Sequence, residues 1–110
     1  MAYDEELANR LRECLAVESN LSEKRMFGGL AFLVHGNMAV AASGQGGVLL
    51  RCDPAESEAL VQQPGLSRME MRGREMDGWL RVDTDAVAED GALRRWVDVG
   101  LAYARSLPPK

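Results

Sequence analysis

Residues 68–72, Arg-Met-Glu-Met-Arg, alternate polar and apolar without a fault. Successive side chains of a strand point to opposite faces, so this pattern commits the segment to a strand with one wet face. Residues 79–82, Trp-Leu-Arg-Val, repeat the alternation after a glycine-bounded turn over residues 73–78, and read as the returning strand. A chain that contains such a hairpin needs something to cover the apolar side of it. Two segments supply the cover. Residues 4–17 place Leu7, Leu11, Cys14 and Leu15 on one stripe, and residues 90–107 do the same with Leu93, Trp96, Val97, Leu101 and Ala104, each stripe backed by charged positions. Apolar groups recurring every three to four residues mark amphipathic helices, and Pro108-Pro109 stops the second one.

Between these helices the signals are short. After a polar link over residues 18–23, residues 25–34 predict a strand, His35-Gly36-Asn37 a hairpin turn, and residues 38–43 its partner. Residues 44–47, Gly-Gln-Gly-Gly, supply the next turn, and residues 48–52 a third strand. Asp53-Pro54-Ala55-Glu56 combines an N-cap acceptor, a proline at the first helical position and an acid three residues after the cap. It predicts a short helix to about residue 62, ended by Pro64-Gly65. The order α-β-β-β-α-β-β-α carries no βαβ repeat. It predicts a two-layer α+β domain over residues 1–110, with an antiparallel five-stranded sheet and the helices on one face.

Composition narrows the function. A length of 110 residues is one domain, and an apolar share of 46% with 27% charged residues is that of a globular chain. Only 5% is aromatic, so Leu, Val, Ala and Met must build the core. The longest apolar run, residues 30–34, is too short to cross a bilayer, and the acidic start at Asp4-Glu5-Glu6 is unlike a signal peptide; a cytoplasmic location is expected. A net charge of −4 disfavours direct nucleic-acid binding. Cys14 and Cys52 form no ligand cluster and read as buried, reduced thiols.

Few residues pass as chemistry. His35 stands in a turn without a partner, and the glycines of residues 44–47 join two strands, whereas a phosphate loop leads from a strand into a helix. The acidic run Asp83, Asp85, Glu89, Asp90 lacks a third oxygen ligand at Val87, and no nucleophile elbow occurs. No catalytic, cofactor-binding or metal-ligating residue is therefore expected, and no enzyme. One constellation survives. If Met69, Met71, Leu80 and Val82 face the helices, then Arg68, Arg72, Trp79 and Arg81 share the outer face of the last hairpin, with Arg74 in its turn, as a candidate partner-binding surface.

Several stretches carry a family likeness: residues 24–32 (Lys-Arg-Met-Phe-Gly-Gly-Leu-Ala-Phe), Gly36-Asn37-Met38, Arg51-Cys52-Asp53-Pro54, Met69 and residues 74–79 (Arg-Glu-Met-Asp-Gly-Trp), and the closing residues 107–110. Together they resemble the N-terminal domain of TfoX/Sxy-type competence regulators. The resemblance implies a two-layer α+β fold and a family whose full-length members promote competence-gene transcription with the cyclic-AMP receptor protein. Its larger members carry a further C-terminal helical domain, which this chain is expected to lack. No catalytic residues come with it. The expected function is a non-catalytic regulatory module acting through contacts with a partner protein, with self-pairing open. The alternative is a small-molecule or nucleotide binder, whose sign would be a pocket lined by Met26, Met38, Met69, Met71 or Met76.

Overall fold

The computed structural model describes residues 3–26, 28–44, 46–71 and 73–109. Helix α1 (Glu5–Cys14) is followed by strands β1 (Leu21–Met26), β2 (Gly29–Val34), β3 (Asn37–Ala42) and β4 (Val48–Arg51). A 3₁₀ turn (Pro54–Glu56) and the short α2 (Ser57–Leu60) lead to β5 (Leu66–Met71) and β6 (Arg74–Val82). A second 3₁₀ turn (Thr84–Val87) precedes α3 (Asp90–Ser106). The sheet is antiparallel throughout, with strand order β1-β2-β3-β4-β6-β5.

The α+β class and the element order follow the expectation, with one correction: the sheet has six strands, not five. The polar link predicted over residues 18–23 contains the start of β1, whose sequence Leu-Ser-Glu-Lys-Arg-Met leaves residues 22–25 exposed. An edge strand needs neither apolar alternation nor burial, because its backbone is paired on one side only, here in full register with β2. The shift back to β2 occurs at Met26, which opposes Gly29. Gly29 has no room for a side chain: a Cβ there would lie 2.0 Å from the Ala42 carbonyl oxygen. Between β2 and β3, His35 and Gly36 both take positive φ, 52° and 83°, the geometry that lets a two-residue turn follow the twist of its strands.

Register organises the two sides of the sheet. One row reads Glu23, Phe32, Val40, Leu50, Leu80, Arg68. Directly opposed residues project to the same face, and this row faces the helices. Its apolar centre belongs to the main core, which it shares with Leu7, Leu11, Leu93, Trp96, Val97 and Leu101 from α1 and α3. Its charged ends are each held by a helix. Arg12 of α1 grips Glu23 through Nε and Nη2, at 2.8 and 2.9 Å, and Glu58 of α2 accepts from Arg68 at 2.8 Å. The opposite row reads Lys24, Ala31, Ala41, Leu49, Arg81, Ser67. Here Ala31, Ala41 and Leu49 join Met38 and Met69 in a second buried cluster, with Met26, Leu33 and Trp79 packed against it.

The helices begin and end where the sequence signals lie. Asp4 caps α1 by accepting from the Glu6 and Leu7 amides at 2.9 and 3.2 Å. The helix stops at Cys14, three residues before the predicted end, and Val17 lies beyond it almost wholly in water. Cys14 is half-buried and Cys52 buried; both are free, and loss of solvent is the main influence pushing both thiols' pKa up. No helix among the described residues is long and apolar enough to cross a membrane.

Candidate functional site

Two of the sequence stretches singled out above, residues 51–54 and 76–79, meet in space. At the end of β4 the Asp53 carboxylate accepts from the Ala55 amide at 2.9 Å, and Pro54 starts the 3₁₀ turn. That turn brings Ser57 inward until it has no exposed surface. Its hydroxyl accepts from the Gly78 amide at 2.6 Å and lies 3.7 Å from Cys52 Sγ. The Gly78 carbonyl in turn accepts from the Cys52 amide at 2.9 Å. A buried hydroxyl with both neighbours engaged costs little desolvation and fixes the geometry of the two segments.

Gly78 is required at this point. Its φ is +84°, and a Cβ would approach both the Cys52 carbonyl oxygen and Pro54 Cγ to 3.1 Å. The same residue interrupts the β5–β6 ladder. Arg68 opposes Leu80 but Met69 opposes Met76, so residues 77–79 of β6 have no partner on β5. This bulge turns β6 toward β4 and sets Trp79 opposite Arg51. The Arg51 guanidinium lies 4.8 Å from the Trp79 ring centre and 5.5 Å from that of Tyr103, which α3 supplies. Arg51, Trp79 and Tyr103 are all half-buried. The guanidinium is within cation–π reach of both rings, and each such contact contributes about 0.5–1 kcal/mol near solvent. Beside it runs an open groove of about 370 Å³, lined by Asp53, Glu56, Val99, Ala102, Tyr103 and Ser106.

The five residues singled out from the sequence do not share one face. Arg68 is on the helix side: it opposes Leu80, and donates from Nε to Asp77 at 3.0 Å as well as to Glu58. Those two acceptors, Glu58 foremost, hold its guanidinium firmly protonated. The expectation that Met69 faces the helices is likewise corrected; Met69 lies with Trp79 in the second cluster. Each strand alternates as expected, but the bulge breaks the register between them. At the sheet's edge, moreover, a carboxylate of α2 makes an inward arginine tolerable. Leu80 and Val82 do join the main core. Arg81 shares the outer side with Trp79, yet its guanidinium reaches the β3–β4 turn, donating to Ser43 Oγ and the Gly46 carbonyl at 3.4 and 3.3 Å. Arg74 is exposed at the start of β6. Arg72 lies outside the described residues.

Of the methionines considered as pocket lining, Met38 and Met69 are buried and Met26 and Met76 half-buried. Met69, with Leu49, Ser43, Ser67, Glu75 and Arg81, borders a cleft of about 510 Å³. Sequence reasoning missed Arg51 and Tyr103. The readable trace of the first was its place directly before Cys52-Asp53-Pro54; for Tyr103, on a helix stripe's flank, there was none.

The architecture and this junction define a small two-layer α+β domain in which a glycine-centred bulge locks the last strand, β6, to a helix start. The chain belongs to the TfoX N-terminal domain family, whose model matches residues 13–104. The match takes in all six strands and both halves of the junction, while residues 107–110 of the sequence likeness fall beyond it. No curated protein matches the chain.

Proposed function

We propose that this domain is a non-catalytic regulatory module that works by binding another protein, and that the surface around Arg51, Trp79 and Tyr103 is where it does so. The observation that carries this reading is the arginine set against two aromatic rings beside an open groove. Arginine and aromatic residues are enriched at the centres of protein interfaces, where pre-ordered side chains lose little entropy on binding. Family membership supports a regulatory role, of the transcription-linked kind that the sequence resemblance implies, and we place it in the cytoplasm. Asp53 and Glu56 along the groove favour a partner segment with basic residues.

Affinity capture on the wild-type chain and on an Arg51→Ala/Tyr103→Ala double variant, followed by titration of the purified captured protein, tests the proposal. The double variant is expected to weaken binding at least tenfold while its melting temperature falls by only a few degrees. Equal affinity for both chains would remove this surface from consideration. A second reading, binding of a small anion or nucleotide, rests on the cleft of about 510 Å³ beside Arg81; thermal-shift titration with nucleotides that leaves the melting temperature unmoved would discard it.

A further inference from the structure

The two edges of the sheet, β1 and β5, are guarded differently. On β1 residues 22–25 are exposed, three of them charged, and Glu23 is already gripped by Arg12; a charged edge discourages further strand pairing. On β5, among the described residues, the backbone groups of residues 67–71 bond only within the ladder to β6. The strand has neither proline nor lysine. Its centre, Arg68-Met69-Glu70, is self-complementary in charge when the strand is read against itself. Glu70 is exposed and forms no ion pair or hydrogen bond among the described residues, although it directly opposes Glu75 across the ladder. Like charges in that position are destabilising, and the cation of the same strand, Arg68, is directed to Glu58 and Asp77 and not to Glu70.

We propose that β5 is the contact edge of a homodimer, in which two copies of the strand pair antiparallel about Met69 and extend one sheet across both chains. In that register Met69 opposes Met69 of the second copy, and Arg68 of each chain opposes Glu70 of the other. The side-chain geometry is consistent. Residues 68 and 70 point to the same face of β5, and a two-fold axis perpendicular to the sheet keeps that face common to both copies. Arg68 donates to Asp77 from Nε and to Glu58 from Nη2, so Nη1 is available to a third carboxylate. The added arginine relieves the Glu70–Glu75 opposition. The equivalent construction on β1, about Lys24, would oppose Glu23 to Arg25 but would set lysine against lysine and draw Glu23 away from Arg12, so β5 suits a second copy better.

Sedimentation equilibrium of the full chain should show a reversible dimer. Glu70→Arg sets cation against cation and should raise the dissociation constant at least tenfold. Arg68→Glu should do the same, and an equimolar mixture of the two variants should recover a heterodimer, because both contacts are again complementary. Should Arg68→Glu fail to fold, a cross-link decides. Opposed residues of an antiparallel pair have Cα atoms about 4.5–5.5 Å apart, within disulfide reach. Met69→Cys in a Cys14→Ser background should therefore form an intermolecular disulfide on mild oxidation, and Ser22→Cys on β1 should not. A wild-type chain that stays monomeric up to its solubility limit overturns the proposal. So does a dimer indifferent to Glu70→Arg, or a Met69→Cys chain that cross-links no better than the Ser22→Cys control.

Discussion

On the helix side of the sheet, Phe32, Val40, Leu50 and Leu80 meet a helix layer that contributes Leu11, Leu93 and Trp96, and large branched or aromatic groups interlock across the gap. On the other side the corresponding positions are Ala31, Ala41 and Leu49, with Met38 and Met69 beside them, and among the described residues this cluster draws no member from a helix. The outer side is nevertheless buried, Leu49 to 2% exposure and Met69 to 7%. Small residues along β2 and β3 keep it shallow, and long flexible side chains from the neighbouring strands close over it. The central strands are thus apolar on both faces, which explains why residues 30–34 and 38–42 read as unbroken apolar runs instead of alternating. What the outer side offers a partner is its rim, where Arg51, Trp79 and Arg81 stand.

The contrast can be broken by measurement. Trp96→Ala removes the largest side chain of the helix-side core and should cost about 3–5 kcal/mol in chemical denaturation; a loss under about 1 kcal/mol would detach α3 from the core. Leu49→Ala asks the same of the outer side. Burial without a covering layer should still cost about 2–4 kcal/mol, whereas a value near zero would mean that water reaches this face. Gly78→Ala probes the junction between the two. Forcing a Cβ into a left-handed conformation against Pro54 and the Cys52 carbonyl should cost about 1–3 kcal/mol and shift Trp79 fluorescence; an unchanged spectrum and stability would show that the bulge is not fixed by its glycine.

The smallest effect concerns the ion pair between Glu18 and the exposed Arg105. Hydrogen bonding to Arg105 holds the Glu18 carboxyl below its ordinary pKa. A depressed folded-state pKa stabilises the fold above the unfolded value, about 4.3, and that contribution disappears as pH falls through the folded value. Glu18→Gln should therefore be less stable than wild type near neutrality by under about 1 kcal/mol, and the gap should close below about pH 4. A gap that persists in acid would point to a packing role for the side chain.

These regions were not equally legible in the sequence. The helices α1 and α3 and the β2–β3 hairpin could be read directly, because apolar spacing and a His-Gly turn are local signals. Strand β1 could not, since an edge strand whose charges are satisfied by water and by Arg12 has no pattern to show. The face of Arg68 was hidden for another reason. Alternation fixes the sides within one strand, but the relation between β5 and β6 depends on three bulged residues whose only local mark is Gly78. Arg51 and Tyr103 become a site only through tertiary contact across fifty-odd residues of chain, and no spacing rule reaches that far.

The strand order has a consequence for how the chain comes off the ribosome. Strands β1 to β4 are joined by short turns and can zip up as they emerge, but the free side of β4 belongs to β6, and the chain first passes through α2 and β5 before β6 exists. Until residue 82 has emerged, a nascent chain carries an apolar sheet whose last strand has an open edge, and this is a state prone to pairing with neighbours. A chaperone is therefore expected to hold nascent chains on which β4 has emerged but β6 has not, and to release those on which α3 has emerged. Photo-crosslinking of stalled chains of graded length would show it, and an even crosslinking pattern along the series would argue instead that the four-stranded meander protects itself.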